Sequence, residues 1–136
     1  MANKNKYNMK IEHGFTTSDQ SLKMRDLGFT SDTASFIEYQ YTNILGDEKT
    51  TYIPKCMCLD NAIIEVTCVW SIGDMIELLP QFISDKDAFP CVNSGGVSYS
   101  YWDYDDFISI KGFFECDLLR DNLFNCLVWL KENKYL

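Results

Sequence analysis

Two cysteines separated by one residue, Cys56 and Cys58, form the pattern in the sequence with the clearest chemical potential. In an extended segment, residues i and i+2 point to the same face, so the two thiols would lie side by side. Zinc would need about two further ligands, for which Cys68, Cys91 and the single histidine, His13, are the candidates. The pair is not a Cys-x-x-Cys motif of the thioredoxin type. A metal site, a redox pair and two unpaired thiols all stay open, and the unpaired thiols are favoured.

A run of carboxylates at Asp103, Asp105 and Asp106 is the second candidate. A Ca²⁺ loop of the EF-hand type needs Gly at its sixth position and Glu at its twelfth. Counting from Asp103, those positions are Ile108 and Phe114. The run is therefore predicted to be an acidic hairpin turn, with a weak Ca²⁺ site or a contact with a basic partner as the functional alternative.

No residue pattern indicates catalysis. His13 lies beside Gly14 near the N-terminus, which is a poor position for a rigid site. Glu115 and Asp117 form a pair of carboxylates without an accompanying nucleophile. Walker, Rossmann and nucleophile-elbow motifs are absent from the sequence. The sequence therefore predicts a protein that is not an enzyme and that uses no cofactor.

Two short helices have clear signals at their starts. Thr17 with Gln20 three residues later fits a capping box, and Gly28 is a natural helix stop. Ser71 with Asp74 at the third helical position predicts a central helix, because an acid there supports both the cap and the helix dipole. These signals predict one helix near the N-terminus and one in the middle of the chain.

Alternating apolar and polar residues predict strands. The predicted strands and extended segments are 36–42, 50–59, 62–69, 97–102 and 107–111. The last two would form a β-hairpin whose turn contains the acidic run. Residues 84–95 are predicted to be a loop, since they contain Pro90 and end at the first residue of the Gly95-Gly96 pair.

A longer final helix is predicted over Leu118–Glu132, with Asp117 as its N-cap. Its apolar stripe must pack on the sheet. Phe124 and Val128 fall on the opposite side of the helix and Trp129 on one flank. Either a second layer covers these three side chains or they supply an association surface.

Tyrosine and tryptophan are concentrated in the predicted strands: Tyr39, Tyr41, Tyr99, Tyr101, Trp102 and Tyr104. Such residues are good strand formers and are also enriched at the centres of protein interfaces. The predicted interaction surface comprises Tyr99, Tyr101, Trp102, Phe124, Val128 and Trp129.

Length and charge restrict the class of protein. With 136 residues, the chain is predicted to form a flexible lead, residues 1–15, and one domain, residues 16–136. A net charge of −8 argues against binding to nucleic acid or to an anionic membrane, since both need Lys and Arg. A secretory signal and a run of about 18 apolar residues are absent from the sequence. We therefore expect a cytoplasmic protein.

Three blocks of the sequence resemble a known group of proteins. The blocks are 17–28, 70–80 (Trp-Ser-Ile-Gly-Asp-Met-Ile-Glu-Leu-Leu-Pro) and 128–136 (Val-Trp-Leu-Lys-Glu-Asn-Lys-Tyr-Leu). They are similar to blocks of small uncharacterised proteins of gut Bacteroidales and of their prophages and mobile elements. The resemblance implies a bacterial or phage protein of the cytoplasm, and it transfers no activity and no site residue.

Together these features predict an α+β domain in which an antiparallel sheet of about four or five strands packs against a long C-terminal helix. The predicted function is non-enzymatic: a protein–protein interaction module that binds a protein partner or associates with itself. The alternatives are an inhibitor or immunity-type protein that binds a basic partner, and a thiol-metal protein.

Overall fold

A computed structural model describes residues 10–136 and has an α+β architecture. The described residues form four α-helices, six strands and three short 3₁₀ helices. The helices are α1 (Ser18–Asp26), α2 (Asn61–Thr67), α3 (Ile72–Glu77) and α4 (Leu119–Glu132). The strands are β1 (Phe36–Thr42), β2 (Glu48–Pro54), β3 (Cys68–Val69), β4 (Phe89–Val92), β5 (Val97–Asp103) and β6 (Asp106–Phe113).

The strands form two three-stranded antiparallel sheets, with orders β2-β1-β3 and β4-β5-β6. The prediction of one sheet with four or five strands is therefore wrong, although the α+β class and the C-terminal helix are confirmed. Part of the difference lies in residues 84–95, which were predicted to be a loop but contain β4. Pro90 is tolerated there because β4 is an edge strand.

The largest local error concerns residues 62–69, which were predicted to be a strand. They form most of α2 followed by the two residues of β3. The Asp60 carboxylate accepts hydrogen bonds from the backbone N–H groups of Ala62 (3.0 Å) and Ile63 (3.4 Å), which starts a helix. The preceding extended segment also ends earlier than predicted, because β2 stops at Pro54.

The capping predictions for the two short helices are confirmed. Thr17 and Gln20 form a reciprocal capping box at α1, and Ser71 and Asp74 form one at α3. Gly28 follows α1 with a φ of +94°, a conformation that glycine adopts without steric cost.

The start of α4 differs from the prediction. Leu118, not Asp117, is the N-cap residue, and its side chain makes no capping bond. The side chain of Asn122 orders this region instead: it donates to the carbonyls of Gly95 (2.8 Å) and Cys116 (3.0 Å) and accepts from the Cys116 N–H (3.1 Å).

The hydrophobic core lies between α4, the second sheet and the helices α1 and α3. Its fully buried members include Met24, Trp70, Met75, Val97, Tyr99, Leu123, Leu127 and Leu130. Trp70 is anchored within it by a hydrogen bond from its indole N–H to the Thr33 hydroxyl at 2.8 Å. Burial of these side chains fixes α4 against β5 and β6.

Residues 1–9 of the predicted N-terminal lead lie outside the described residues. Within the remainder of that lead, Ile11–Gly14 form a 3₁₀ helix and Phe15 pairs with Ser71 through an antiparallel bridge. Among residues 10–136, no helix is both long enough and apolar enough to cross a membrane.

Candidate interaction surface and polar cleft

The turn of the β5–β6 hairpin brings aromatic and acidic side chains together at the surface. The hairpin register pairs Trp102 with Phe107 and Asp103 with Asp106, which leaves Tyr104 and Asp105 as the turn. The predicted hairpin and its acidic turn are thus confirmed. We call residues 102–107 the hairpin tip.

The aromatic rings of the hairpin tip contact each other but remain open to solvent. The rings of Trp102 and Phe107 lie 4.8 Å apart, and Phe89 on β4 lies 6.0 Å from Phe107. Trp102 is nevertheless 62% exposed, Phe107 48% and Tyr104 97%. Ring contacts at these separations are favourable and hold the side chains of Trp102 and Phe107 against each other.

The backbone of the hairpin tip is strained at Tyr104. Its φ is +56°, in a region that costs an ordinary L-residue about 1–2 kcal/mol. Glycine would occupy this position without that cost. Tyr104, a fully exposed aromatic residue, therefore occupies a position where the backbone conformation favours glycine. Such strained positions are typical of functional sites.

Three exposed carboxylates, Asp103, Asp105 and Asp106, lie in the same hairpin tip. By strand alternation, the Asp103–Asp106 pair projects from the face opposite to the Trp102–Phe107 pair. The one ion pair within residues 10–136 joins Arg120 and Asp121, so the described structure gives the three acids no cationic partner. The hairpin tip thus combines an exposed aromatic pair with three carboxylates that are unpaired among the described residues.

Two other members of the predicted interaction surface on β5 lie deeper. Tyr99 is fully buried, and its hydroxyl donates to the Pro80 carbonyl at 2.7 Å. Burial raises the pKa of this hydroxyl well above its usual value. The prediction that Tyr99 is a surface residue is wrong, because its side chain faces the α4 side of the sheet. Tyr101 is half-buried and packs against the same core.

The α4 side chains proposed for association are also covered in part. Phe124, Val128 and Trp129 are half-buried, and Trp129 contacts the rings of Phe113 (5.8 Å) and Tyr135 (5.4 Å). Of the two alternatives for these residues, the structure favours a covering layer supplied by the chain itself.

The thiol pair does not have the geometry that an extended segment would give it. Cys56 lies in a 3₁₀ helix, Lys55–Met57, and is exposed, while Cys58 follows it and is half-buried. No group of three or more His, Cys, Asp or Glu residues that could hold a metal ion occurs in the part of the chain the structure describes. Within the described residues, the two thiols are therefore not grouped with the further ligands that zinc would need.

The structure also contains a polar cleft that was not predicted from the sequence. This cleft of about 340 Å³ is lined by Glu12, His13, Thr17, Ser18, Glu38, Thr50, Tyr52 and Arg120. These residues come from the 3₁₀ helix before α1, the start of α1, β1, β2 and the first turn of α4. Their wide separation in sequence explains why no local motif indicated the cleft.

Arg120 and Tyr52 form the rigid parts of this cleft. The Arg120 side chain is 11% exposed and pairs with Asp121 through Nε at 3.0 Å. Its Nη1 donates to the carbonyls of Glu12 (3.1 Å) and Phe15 (3.3 Å). The Tyr52 ring stacks on Phe15 with ring centres 4.1 Å apart.

The charges in the cleft converge on the Tyr52 hydroxyl. Burial raises the pKa of Tyr52 above its usual value, and the carboxylates of Glu38 and Glu12 raise it further. The guanidinium of Arg120 lowers this pKa by a smaller amount. Glu38 also accepts a hydrogen bond from the Ser18 hydroxyl at 3.2 Å. The cleft therefore holds charges of both signs around one point, with the negative sign prevailing there.

Comparisons with protein-family models, with curated proteins and with solved structures gave no match. The function must therefore be argued from the residues themselves.

Proposed function

We propose that this chain is a non-enzymatic protein–protein interaction module that binds its partner through the hairpin tip. The observation that supports the proposal most is the pair of touching but exposed rings of Trp102 and Phe107 next to the exposed Tyr104. Trp and Tyr are enriched among residues that dominate binding energy. The hairpin tip itself contains no histidine, cysteine or hydroxyl nucleophile other than the Tyr104 phenol.

Other exposed apolar side chains support the proposal less well. At the β1–β2 turn and around α2 they lack the large planar area that makes aromatic residues effective anchors: Ile44, Leu45, Met57, Leu59 and Val66. The exposed rings of Tyr39 and Tyr41 on β1 also contact each other, with centres 6.1 Å apart, but at 50% and 42% they are less exposed than Trp102 and Tyr104.

The three carboxylates of the hairpin tip support a basic partner. Carboxylates in the same hairpin tip as exposed aromatic rings fit a surface that presents Lys or Arg beside an apolar pocket, because complementary charge speeds association and excludes wrong partners. A second copy of this chain is a poor fit, since two hairpin tips would oppose three carboxylates with three more and each chain carries −8. We therefore favour a heterologous partner over self-association.

This charge pattern also supports the narrower alternative of an inhibitor or immunity-type protein directed at a basic partner. The two versions differ in salt dependence. Binding dominated by the carboxylates would weaken strongly as the salt concentration rises, whereas binding dominated by the aromatic rings would change little. The sequence blocks that resemble proteins of Bacteroidales and their mobile elements support a bacterial or phage origin, and we propose the cytoplasm as the place of action.

Photo-crosslinking in cells of the source organism tests the proposal. The photoreactive residue p-benzoylphenylalanine is incorporated in place of Tyr104, and in a matched control in place of Tyr41, an exposed tyrosine of the β1–β2 hairpin. We expect a discrete crosslinked protein with an excess of basic residues from position 104 alone. Crosslinks that form equally at position 41, or no crosslink at position 104, would refute a role for the hairpin tip.

A further inference from the structure

We infer that the polar cleft is a binding site for a small zwitterion of the amino-acid class, held by Arg120 at its carboxylate and by Glu12 and Glu38 at its ammonium group. This site is separate from the hairpin tip and does not depend on the proposed interaction function.

The first support is the unused end of Arg120. Arginine has five N–H donors, and Nε and Nη1 of Arg120 are committed to Asp121, Glu12 and Phe15. Nη2 donates to no residue within 10–136, yet no side-chain nitrogen is both buried and unsatisfied in that range. Nη2 is therefore not fully buried, in a side chain that is only 11% exposed. A fixed guanidinium with one free edge is suited to a carboxylate.

The second support is the opposite charge beside it. Glu12 and Glu38 line the same cleft, and both act on the Tyr52 hydroxyl together with Arg120. Neither carboxylate forms an ion pair with Arg120, whose Nε is paired with Asp121, so the two carboxylates and the Nη2 end of the guanidinium remain for a ligand. A ligand with both charges can use the carboxylates and this Nη2 end together, whereas a ligand with one charge can use only one of them.

The third support is the size and stiffness of the cleft. Its volume of about 340 Å³ lies at the lower end of the range for small-molecule sites. The stacked Phe15 and Tyr52 rings and the capping box of α1 hold its walls in place. Hydroxyl groups of Thr17, Ser18 and Thr50 line the remainder and can bond polar groups of the ligand.

Titration followed by backbone amide NMR tests the inference. Each standard α-amino acid is added separately, with ethylammonium and propionate as probes that carry only one of the two charges. We expect at least one amino acid to shift amides at the cleft-lining residues. Both single-charge probes should bind about tenfold or more weakly, since each lacks one set of charge-assisted hydrogen bonds.

Three isosteric variants complete the test. Glu38→Gln and Glu12→Gln remove one negative charge each and should weaken amino-acid binding about fivefold or more. Glu77→Gln removes an exposed carboxylate on α3, outside the cleft, and should leave binding unchanged. Circular dichroism checks that each variant folds. The inference is wrong if no amino acid binds, if ethylammonium or propionate binds as tightly as the amino acid, or if all three variants bind alike.

Discussion

Removing the side chain of Asn122 should destabilise the protein more than its size suggests. Asn122 is 1% exposed and makes three hydrogen bonds, to the carbonyls of Gly95 and Cys116 and from the Cys116 N–H. Each contributes about 0.5–1.5 kcal/mol, and Asn122→Ala also leaves backbone groups without partners. We expect a loss of about 3–4 kcal/mol in the free energy of unfolding, a large part of the 5–15 kcal/mol typical of a domain.

Asn125→Ala is a matched control on the same helix. Asn125 is exposed, and its one hydrogen bond goes to the Cys116 sulfur at 3.5 Å. Alanine is the better helix former by about 0.5 kcal/mol, so this variant should stay within about 0.5 kcal/mol of the parent. Asn122→Asp separates loss of donors from loss of volume, because it keeps the shape but points a carboxylate at two carbonyls. It should be at least as destabilising as Asn122→Ala at neutral pH.

Urea unfolding monitored by tryptophan fluorescence and by far-UV circular dichroism measures all three variants. If the two signals coincide, a two-state fit gives the free energies directly. The assignment of Asn122 as the tie between α4 and the second sheet fails if Asn122→Ala loses less than about 1 kcal/mol, the value for a single ordinary hydrogen bond, or if Asn125→Ala loses as much.

Three further predictions concern the second sheet and the core. Gly96→Ala should lower the free energy of unfolding by about 3 kcal/mol in urea unfolding, because a Cβ there would overlap the Phe113 carbonyl oxygen. Gly95→Ala should lower it far less, since the atom nearest to a Cβ there lies at 3.4 Å. Equal losses for the two variants would contradict the packing argument. Tyr104→Gly should raise the free energy of unfolding by about 0.5–1 kcal/mol, since relief of the strain at positive φ exceeds the added entropy of the unfolded chain. The same substitution should weaken partner binding. A lower free energy of unfolding would show that the turn is not strained. Burial raises the pKa of the Cys126 thiol to about 12, above its ordinary value of about 8.5. The stability that this neutral thiol contributes is therefore complete below the ordinary pKa and is lost as pH rises toward the folded pKa. The free energy of unfolding should fall less over this pH range in Cys126→Ala than in the parent, and identical pH profiles would show that this thiol does not contribute.

Local patterns predicted those elements that local bonds determine. Thr17 with Gln20 and Ser71 with Asp74 cap their helices within three residues, and the β5–β6 hairpin closes through a two-residue turn. The same local reasoning failed for α2, because alternating Ile and Val side chains are compatible with either a strand or a short helix. There the Asp60 cap decided the conformation.

Distant contacts account for the features that sequence reasoning missed. Asn122 gave no signal because its partner Gly95 lies 27 residues away. The polar cleft gave none because Arg120 meets Glu12 across 108 residues, so the sequence around His13 indicates only a position near the N-terminus. The surface role expected for Tyr99 failed because alternation identifies two faces of a strand but does not say which one the helix covers.

The affinity of the partner identified by crosslinking tests the central claim most directly. Isothermal titration calorimetry with the purified partner compares the parent protein, Trp102→Ala and the matched surface variant Tyr41→Ala at two salt concentrations. We predict that Trp102→Ala weakens binding by about 2 kcal/mol, or about thirtyfold, that Tyr41→Ala has no effect, and that added salt weakens the parent complex. An unchanged Kd for Trp102→Ala, or an equal loss for Tyr41→Ala, would contradict the assignment of the hairpin tip as the binding surface.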